Sequence, residues 1–443
     1  MATRNDGSGS SIDEPVRTPS AGLSAPRLVV VGQGYVGLPL AVRAAEIGYS
    51  VIGFDTDKGA IDRLTDAVSH VEDVPGERLA AVLASGLYRP TTDTGLVADY
   101  DIAVISVPTP LREGQPDLTH VEAAGMMLGS HLTAGATVIL ESTTWPGTTE
   151  EFLRPILEQQ SGLVAGIDFL LGYSPERIDP GNGNWHFENT PKVVSGINAE
   201  SLSSVQQFFG QMVETTVAVA SPKEAELTKL IENLYRHVNI ALVNELAMLA
   251  GELDIDIWAT LDAAETKPFG FMRFDPGPGV GGHCLPIDPS YLSWRVKQSL
   301  GRPFRFVELA NDINDHMPDY VVQRLMLLFN RQGLSLRDRR LLVLGLSYKR
   351  NTSDARESPA RPICEQLLVL GAEVRAADPH VRPEQVPAGV EVVELTVAEV
   401  VAADAVIVLV DHDRFDPDMI RQHARLVLDT RNWLGGGDRI DVL

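Results

Sequence analysis

From position 27 the chain alternates short apolar runs with stretches of helical spacing. The run Leu28-Val29-Val30-Val31 leads at once into Gly32-Gln33-Gly34-Tyr35-Val36-Gly37. Residues 38–46 carry their apolar side chains at helical intervals and stop before Gly48. Residues 49–54 form a second apolar run, closed by Asp55. Three more runs, 101–107, 137–141 and 169–172, each end in small polar residues and prolines. These are Pro108-Thr109-Pro110, Ser142-Thr143-Thr144-Trp145-Pro146-Gly147 and Tyr173-Ser174-Pro175-Glu176-Arg177. Strands separated by helical stretches at this interval predict a doubly wound α/β sheet, whose ligands gather at the carboxyl ends of its strands. Ser106 to Thr109, Ser142 with Thr143, and Glu176 with Arg177 are therefore expected along one crevice. Each cluster taken singly also fits an ordinary turn.

The pattern then changes. Residues 223–251 contain neither Pro nor Gly before the last position, and Leu227, Leu230, Ile231, Leu234, Val238, Ala241 and Leu242 recur at helical spacing. Ser221-Pro222 suits the N-cap and first turn, and Gly251 suits the end. Such a helix spans roughly 40 Å, enough to bridge two domains. Lys229 and Asn233 lie four apart, hence on one face, roughly opposite the leucine stripe. Periodicity alone favours a solvated polar face for them; a lysine and an amide projecting together can also stabilise an oxyanion. A second helical stretch covers 303–329, with no evident chemical residues. After a link at 331–338 the strand-helix alternation resumes: 340–345, 373–377, 405–410 and 426–429 read as strands and 360–370 as a helix ended by Gly371. This second doubly wound unit lacks a Gly-x-Gly-x-x-Gly turn. A nucleotide there would be bound differently, with Lys349 and Arg356 meeting phosphate; both also fit a charged surface loop. The expected architecture is two Rossmann-like doubly wound α/β domains, 27–220 and 331–443, joined by a central helical domain, 221–330, with a long bridging helix.

Composition narrows the functions available. A length of 443 residues accommodates two or three cores. Mean hydropathy is near zero, and no apolar run reaches the length of a membrane span. Residues 1–26, rich in Ser, Gly, Pro and Asp without an apolar core, read as a disordered tail rather than a secretory signal. A formal charge of -23 argues against nucleic-acid binding. It leaves room for an anionic small ligand in a locally basic site. Two cysteines, Cys284 and Cys364, make no disulfide framework and suit a reducing cytoplasm.

Two segments carry chemistry. In the first, Gly32, Gly34 and Gly37 sit between a strand and a helix. There the glycines make a tight turn, admit a pyrophosphate and let the helix N-terminus face its charge. Asp55 can accept a ribose diol and would repel a 2′-phosphate, which favours NAD over NADP. In the second, Gly277-Pro278-Gly279-Val280-Gly281-Gly282-His283-Cys284-Leu285-Pro286-Ile287-Asp288-Pro289, glycines crowd one cysteine and an acid follows four residues later. That thiol is a candidate nucleophile, or a structural cysteine after a flexible loop. Cys364 lies in an apolar stretch suited to packing. A Cys284–His283 pair is disfavoured, because neighbours in a loop usually point apart.

Taken in order from residue 27 to about 433, these motifs resemble the UDP-glucose/GDP-mannose dehydrogenase family. The carrying pieces are residues 32–37 with Tyr35-Val36, Val107-Pro108-Thr109-Pro110, Glu141-Ser142-Thr143, Ser174-Pro175-Glu176-Arg177, Lys229 with Asn233, Gly281-Gly282-His283-Cys284-Leu285-Pro286, and Tyr348-Lys349 with Arg356-Glu357-Ser358-Pro359. The resemblance implies an NAD-dependent, four-electron oxidation of a nucleotide-sugar C6 alcohol to a carboxylate. It implies that Cys284 forms a thiohemiacetal and then a thioester, that Lys229 and Asn233 hold the C6 oxygen, and that Asp288 with Thr143 positions water. It places Glu176, Arg177 and Gly281 near the substrate and Lys349 and Arg356 on the UDP part. Gly32, Gly34, Tyr35, Val36, Gly37, Asp55, Pro108, Thr109 and Thr143 fall around NAD. It implies no metal, and a homodimer or higher homo-oligomer built on the long helix.

UDP-glucose members of the family commonly have a lysine where Ile287 stands. The segments 174–182 and 283–294 and Pro191-Lys192-Val193-Val194 resemble the branch that oxidises UDP-N-acetylhexosamines, UDP-N-acetylglucosamine among them. Ile178 departs from that branch, which often has a further acid there. UDP-glucose or UDP-N-acetylmannosamine oxidation and a catalytically idle sugar-nucleotide binder are the alternatives. A two-electron 3-hydroxyacid dehydrogenase explains the glycine turn but neither the Cys284 segment nor the last third.

Overall fold

A computed structural model of the chain describes residues 25–71, 73–112, 114–178, 184–282 and 284–443, with the backbone alone at 284 and 286. All but the last two residues of the expected tail, the Cys284–His283 question and positions 179–183 lie outside the described residues.

The first sheet contains β1 (Arg27–Val31), β2 (Ser50–Phe54), β3 (Tyr88–Thr91) and β4 (Ile102–Ile105). A two-stranded hairpin, β5 (Leu111–Arg112) and β6 (Gln115–Pro116), stands apart from it. The sheet continues through β7 (Thr137–Leu140), β8 (Leu170–Tyr173), β9 (Lys192–Gly196) and β10 (Thr216–Ala218). Its order is β10-β9-β8-β7-β4-β1-β2-β3, and only the β8–β9 pair is antiparallel. Nearly continuous Val, Ile and Leu in β1, β4 and β7 are buried because helices cover both faces. The chain reverses direction across the sheet between β1 and β4, the switch point at which such sheets open a ligand crevice.

The second sheet holds β11 (Arg340–Leu344), β12 (Glu373–Ala377), β13 (Glu391–Val392), β14 (Ala405–Val408), β15 (Val427–Asp429) and β16 (Ile440–Val442). It is parallel throughout, in the order β13-β12-β11-β14-β15-β16. The two sheets repeat one geometry. Gly32 and Gly345 follow the first strand of each with φ of 95° and 89°, and their amides donate to Phe54 O and Ala377 O at 2.8 and 3.0 Å. Asp55 and Asp378 follow the second strand and accept from the turn amides of Gln33 and Leu346 at 2.8 and 2.7 Å. The turns then diverge. Where the first has Gly34, the second has Ser347, buried and within 3.3 Å of the buried His412 ring. His412 also bonds Asp378 at 3.1 Å. Burial pushes the Asp378 carboxyl up, but His412 and the amides of Leu346 and His380 together hold it well below the usual carboxylate range. The second turn is thus closed by side chains. The helix that would start there begins only at Ala360, after a long loop.

Between the sheets run the helices Pro222–Glu252, Cys284–Leu300 and Arg305–Arg331. Ser221 caps the first through the amide of Glu224. Gly251 does not end it: the helix continues to Glu252, and Asp254 takes the left-handed conformation instead, at φ 53°. No helix among the described residues is long and apolar enough to cross a membrane.

The long helix inverts the expected polarity. Glu226, Lys229, Asn233, His237 and Asn244 are buried, while Ile231, Tyr235, Leu242, Leu246, Leu249 and Leu253 are exposed. The leucine stripe is therefore only partly the core face, and the polar stripe faces inward, where every member finds a partner.

Candidate active site

The first strand turn is shaped by its glycines. A Cβ on Gly32 would stand 2.5 Å from Ser106 O, and one on Gly37 would overlap the Gly32 carbonyl, so both positions require close backbone approach. A Cβ on Gly34 would meet nothing within 4 Å. The helix Gly37–Glu46 that follows has no side-chain cap. An uncapped helix N-terminus beside an open glycine suits a diphosphate. Asp55 accepts from Gln33 N through Oδ2 and from Asp57 N through Oδ1, at 2.8 and 2.9 Å. Each oxygen keeps a second lone pair for a ribose hydroxyl. Tyr35 of the turn is exposed, and the Arg356 guanidinium lies 6.0 Å from its ring centre. Arg356 also pairs with Asp354 at 2.7 Å. The loop carrying Lys349 and Arg356 thus reaches over to the first domain's turn.

The strand-end clusters do meet. Thr109 Oγ1 donates to Thr143 O at 2.8 Å, and Ser142 Oγ to Val107 O at 2.8 Å. Pro108 lies beside them in the loop after β4. Arg177 binds Glu232 of the long helix and Pro191 O, both at 2.6 Å. Glu226, absent from the sequence expectations, accepts from Gly147 N and Thr149 N at 2.5 and 2.8 Å and so ties the loop after β7 to the same helix. Burial pushes its carboxyl up to about 7.

Cys284 opens a helix rather than sitting within a loop. Asp288 lies one turn further on the same helix. Tyr291, which donates to Thr109 O, and Trp294, whose ring centre is 4.8 Å from that of Trp145, anchor this helix to the strand ends of the first sheet. The glycines before it make a close contact with the loop that follows β11. Gly281 would place a Cβ 2.7 Å from Glu357 O, and Gly282, at φ 83°, one 2.7 Å from the Tyr348 ring. The close approach is to the third domain. Gly277 N donates to Asn244 Oδ1 at 2.9 Å, and Asn244 bonds Asn314, which contacts His237. His237 in turn bonds Asn311. The helix Arg305–Arg331, which reads as chemically plain, thus supplies two amides that brace the glycine segment.

Lys229, Asn233 and Asp288 converge. Asn233 Nδ2 donates to Asp288 Oδ2 at 2.5 Å, Arg236 holds Asn233 Oδ1 at 2.8 Å, and Lys229 Nζ donates to Glu176 O at 2.6 Å. Lys229 and Asn233 are 9% and 1% exposed, which rules out the solvated face that periodicity favours. Burial pushes the Asp288 carboxyl up to about 6, against the opposing pull of Lys229, Asn233 and Arg236. The Glu176 carboxylate bonds Lys192 at 2.8 Å and the amides of Arg177 and Ile178. A cation, an amide and a carboxylate one turn from a cysteine can hold a developing oxyanion and accept a proton. Cys364, by contrast, is fully buried, and burial pushes its thiol up to about 12.

Models of the UDP-glucose/GDP-mannose dehydrogenase family match in chain order: the NAD binding domain at 26–213, the central domain at 223–316 and the UDP binding domain at 342–436. The chain is 36% identical over 399 residues to UDP-N-acetyl-D-glucosamine 6-dehydrogenase of Salmonella typhi, covering 89% of this chain and 92% of that one. It is 34% identical over 415 residues to NDP-N-acetyl-D-galactosaminuronic acid dehydrogenase of Ralstonia solanacearum, covering 91% and 95%. The solved UDP-D-ManNAc dehydrogenase of Pyrococcus horikoshii superposes with a TM-score of 0.85 at 31% identity, over 94% of this chain and 98% of that one. The strand-end crevice, the glycine turn and the matches along nearly the whole chain lead to one conclusion: this protein belongs to the UDP-glucose/GDP-mannose dehydrogenase family and is an NAD-dependent oxidoreductase acting on the CH–OH group of a UDP-sugar.

Proposed function

We propose that the protein oxidises the C6 alcohol of a UDP-N-acetylhexosamine, UDP-N-acetylglucosamine foremost, to the uronic acid through a thioester on Cys284. The observation that carries this reading is the buried convergence of Lys229, Asn233 and Asp288 one helical turn from Cys284. NAD, when bound, would supply the hydride acceptor for each of the two oxidations. The chain's own groups do the rest. Lys229 and Asn233 hold the C6 oxygen as it gains charge. The Cys284 sulfur forms a bond to the aldehyde carbon, and the aldehyde oxygen takes up a proton. After the second oxidation, water adds to the thioester carbon, the carbon–sulfur bond breaks and the thiol is restored. Asp288, with Thr143, positions that water and accepts its proton. Glu176 and Arg177 border the sugar, Gly281 fixes the loop before the nucleophile, and Lys349 and Arg356 meet the UDP phosphates. Gly32, Gly34, Tyr35, Val36, Gly37, Pro108 and Thr109 border NAD.

Ile287 in place of a lysine, and relatives named for N-acetylated sugars, support the acetamido substrate. The test is NADH formation across a panel of UDP-sugars. UDP-N-acetylglucosamine should give the highest kcat/KM; a higher value for UDP-glucose would overturn the substrate assignment alone. A site shaped around an acetamido group leaves polar partners unpaired when that group is missing.

Asp55→Ala should raise the KM for NAD by on the order of 10–100-fold, the equivalent of about 1.5–3 kcal/mol for a bond to a charged acceptor. Asp55→Asn, which keeps one acceptor for the turn amides, separates this from a collapsed turn. Equal kcat/KM for NAD and NADP in the native protein would contradict the assignment. Asp288 supplies a pH dependence. Its carboxyl titrates near 6 and is the proton-accepting carboxylate only above that pH. Acid formation should therefore fall as pH drops through about 6, and Asp288→Asn should remove that limb along with most of the rate. A limb that survives Asp288→Asn belongs to another group.

The exposed apolar row on the long helix, from Ile231 to Leu253, supports a homodimer that covers it, acting in the reducing cytoplasm that two cysteines suit. Sedimentation should give a dimer that Leu242→Glu with Leu249→Glu dissociates; a native monomer at micromolar concentration would refute it.

A further inference from the structure

Three charged side chains meet beneath the crevice, and the scheme above gives two of them no task. Glu141 follows β7, Glu176 lies in the loop after β8, and Lys192 opens β9. Because β9 runs antiparallel to β8, its first residue stands at the carboxyl end of β8, level with the two acids. Lys192 Nζ donates to Glu141 Oε1 and, at 2.8 Å, to Glu176 Oε2. The three side chains are 4%, 0% and 12% exposed. The rings of Phe187 and Phe209, with centres 5.6 and 5.0 Å from the ammonium, pack around it.

Both oxygens of Glu176 are committed. Oε2 takes Lys192, and Oε1 takes the amides of Arg177 and Ile178 at 2.6 and 2.7 Å. The carboxylate therefore clamps its own backbone, and the carbonyl of that backbone is the acceptor on which Lys229 Nζ rests at 2.6 Å. We propose that Lys192 is a positioning residue for Lys229: it pins the Glu176 carboxylate from below, with Glu141 as its second counter-charge, and so fixes the carbonyl that aims the Lys229 ammonium at the reacting oxygen. The charges agree with this geometry. Burial pushes both acids up, yet Glu176, which holds Lys192 and two amides, comes out below its ordinary value, while Glu141, with one oxygen unpartnered, is pushed up to about 7. The ammonium thus supplies counter-charge to both buried acids. Without it, two buried carboxylates would face each other with no compensating charge.

This inference rests on the dehydrogenase reading, and the test separates the two. In the full-length protein, Lys192→Met should lower kcat by about 10–100-fold, since a misplacement of about 1 Å can cost that much. KM for NAD should stay unchanged, and Lys192→Arg should recover most of the lost rate. Independently of turnover, hydrogen–deuterium exchange in the peptide holding Arg177 and Ile178 should be at least tenfold faster in Lys192→Met. Where the Met variant does not fold, Lys192→Gln, which keeps one donor, takes its place with the same expectations. Native kcat together with native exchange in a folded variant would overturn the proposal. If the native protein reduces no NAD with any UDP-sugar, the dehydrogenase reading fails, and the exchange measurement alone decides whether Lys192 clamps this segment.

Discussion

Lys229→Met should turn over on the order of 10²–10³ times more slowly than the native protein, the usual loss for one preorganised oxyanion donor. The ammonium is buried, held by Glu176 O, and shares its surroundings with Asp288, so little solvent screens it. The effect should fall on kcat more than on the KM for the sugar, because the oxygen becomes anionic only as the reaction proceeds. Lys229→Arg should not restore the rate, since a planar guanidinium differs in shape and does not fit the same buried place. Circular dichroism and the melting temperature check that each variant is folded. Near-native kcat in a folded Lys229→Met would remove Lys229 from the mechanism.

Cys284→Ala should bring acid formation down to background while leaving slow, reversible exchange between alcohol and aldehyde. The first hydride transfer needs no nucleophile; the second needs the tetrahedral thiohemiacetal. The companion experiment is alkylation. Iodoacetamide should inactivate the native protein with one label, at Cys284, and bound UDP-sugar should protect it. The Cys364 thiol is buried and pushed up to about 12, so it should stay unlabelled while the protein is folded, and Cys364→Ala should react like the native chain. Labelling at Cys364 with activity retained, or full acid formation by Cys284→Ala, would refute the covalent route.

The strands, the glycine turn and Asp55 are legible because each is local: an apolar run, a turn that only glycine tolerates, an acid at the next strand end. The Cys284 segment is legible as chemistry but not as structure. Its glycines do not reveal that Gly281 and Gly282 are also required by the side of Tyr348 and the backbone of Glu357, far along the chain. The long helix misleads for a related reason. Leucines at helical spacing suggest the buried face, yet the interior offers polar partners from other elements, Thr149 for Glu226, Glu176 O for Lys229 and Asp288 for Asn233, which cost less to satisfy than to strand. A signal was present: Glu226, Lys229, Asn233, His237 and Asn244 recur at steps of three, four, four and seven, itself a helical stripe. The Glu141–Lys192–Glu176 set had no such signal, because three strand ends and one antiparallel pairing bring it together.

The central claim is that Cys284 carries the sugar through two successive oxidations, and stoichiometry tests it most directly. With limiting UDP-N-acetylglucosamine and excess NAD, two NADH and one uronic acid should form per sugar, with no free aldehyde accumulating. One NADH per sugar, with an aldehyde or ketone as the end product, would contradict it.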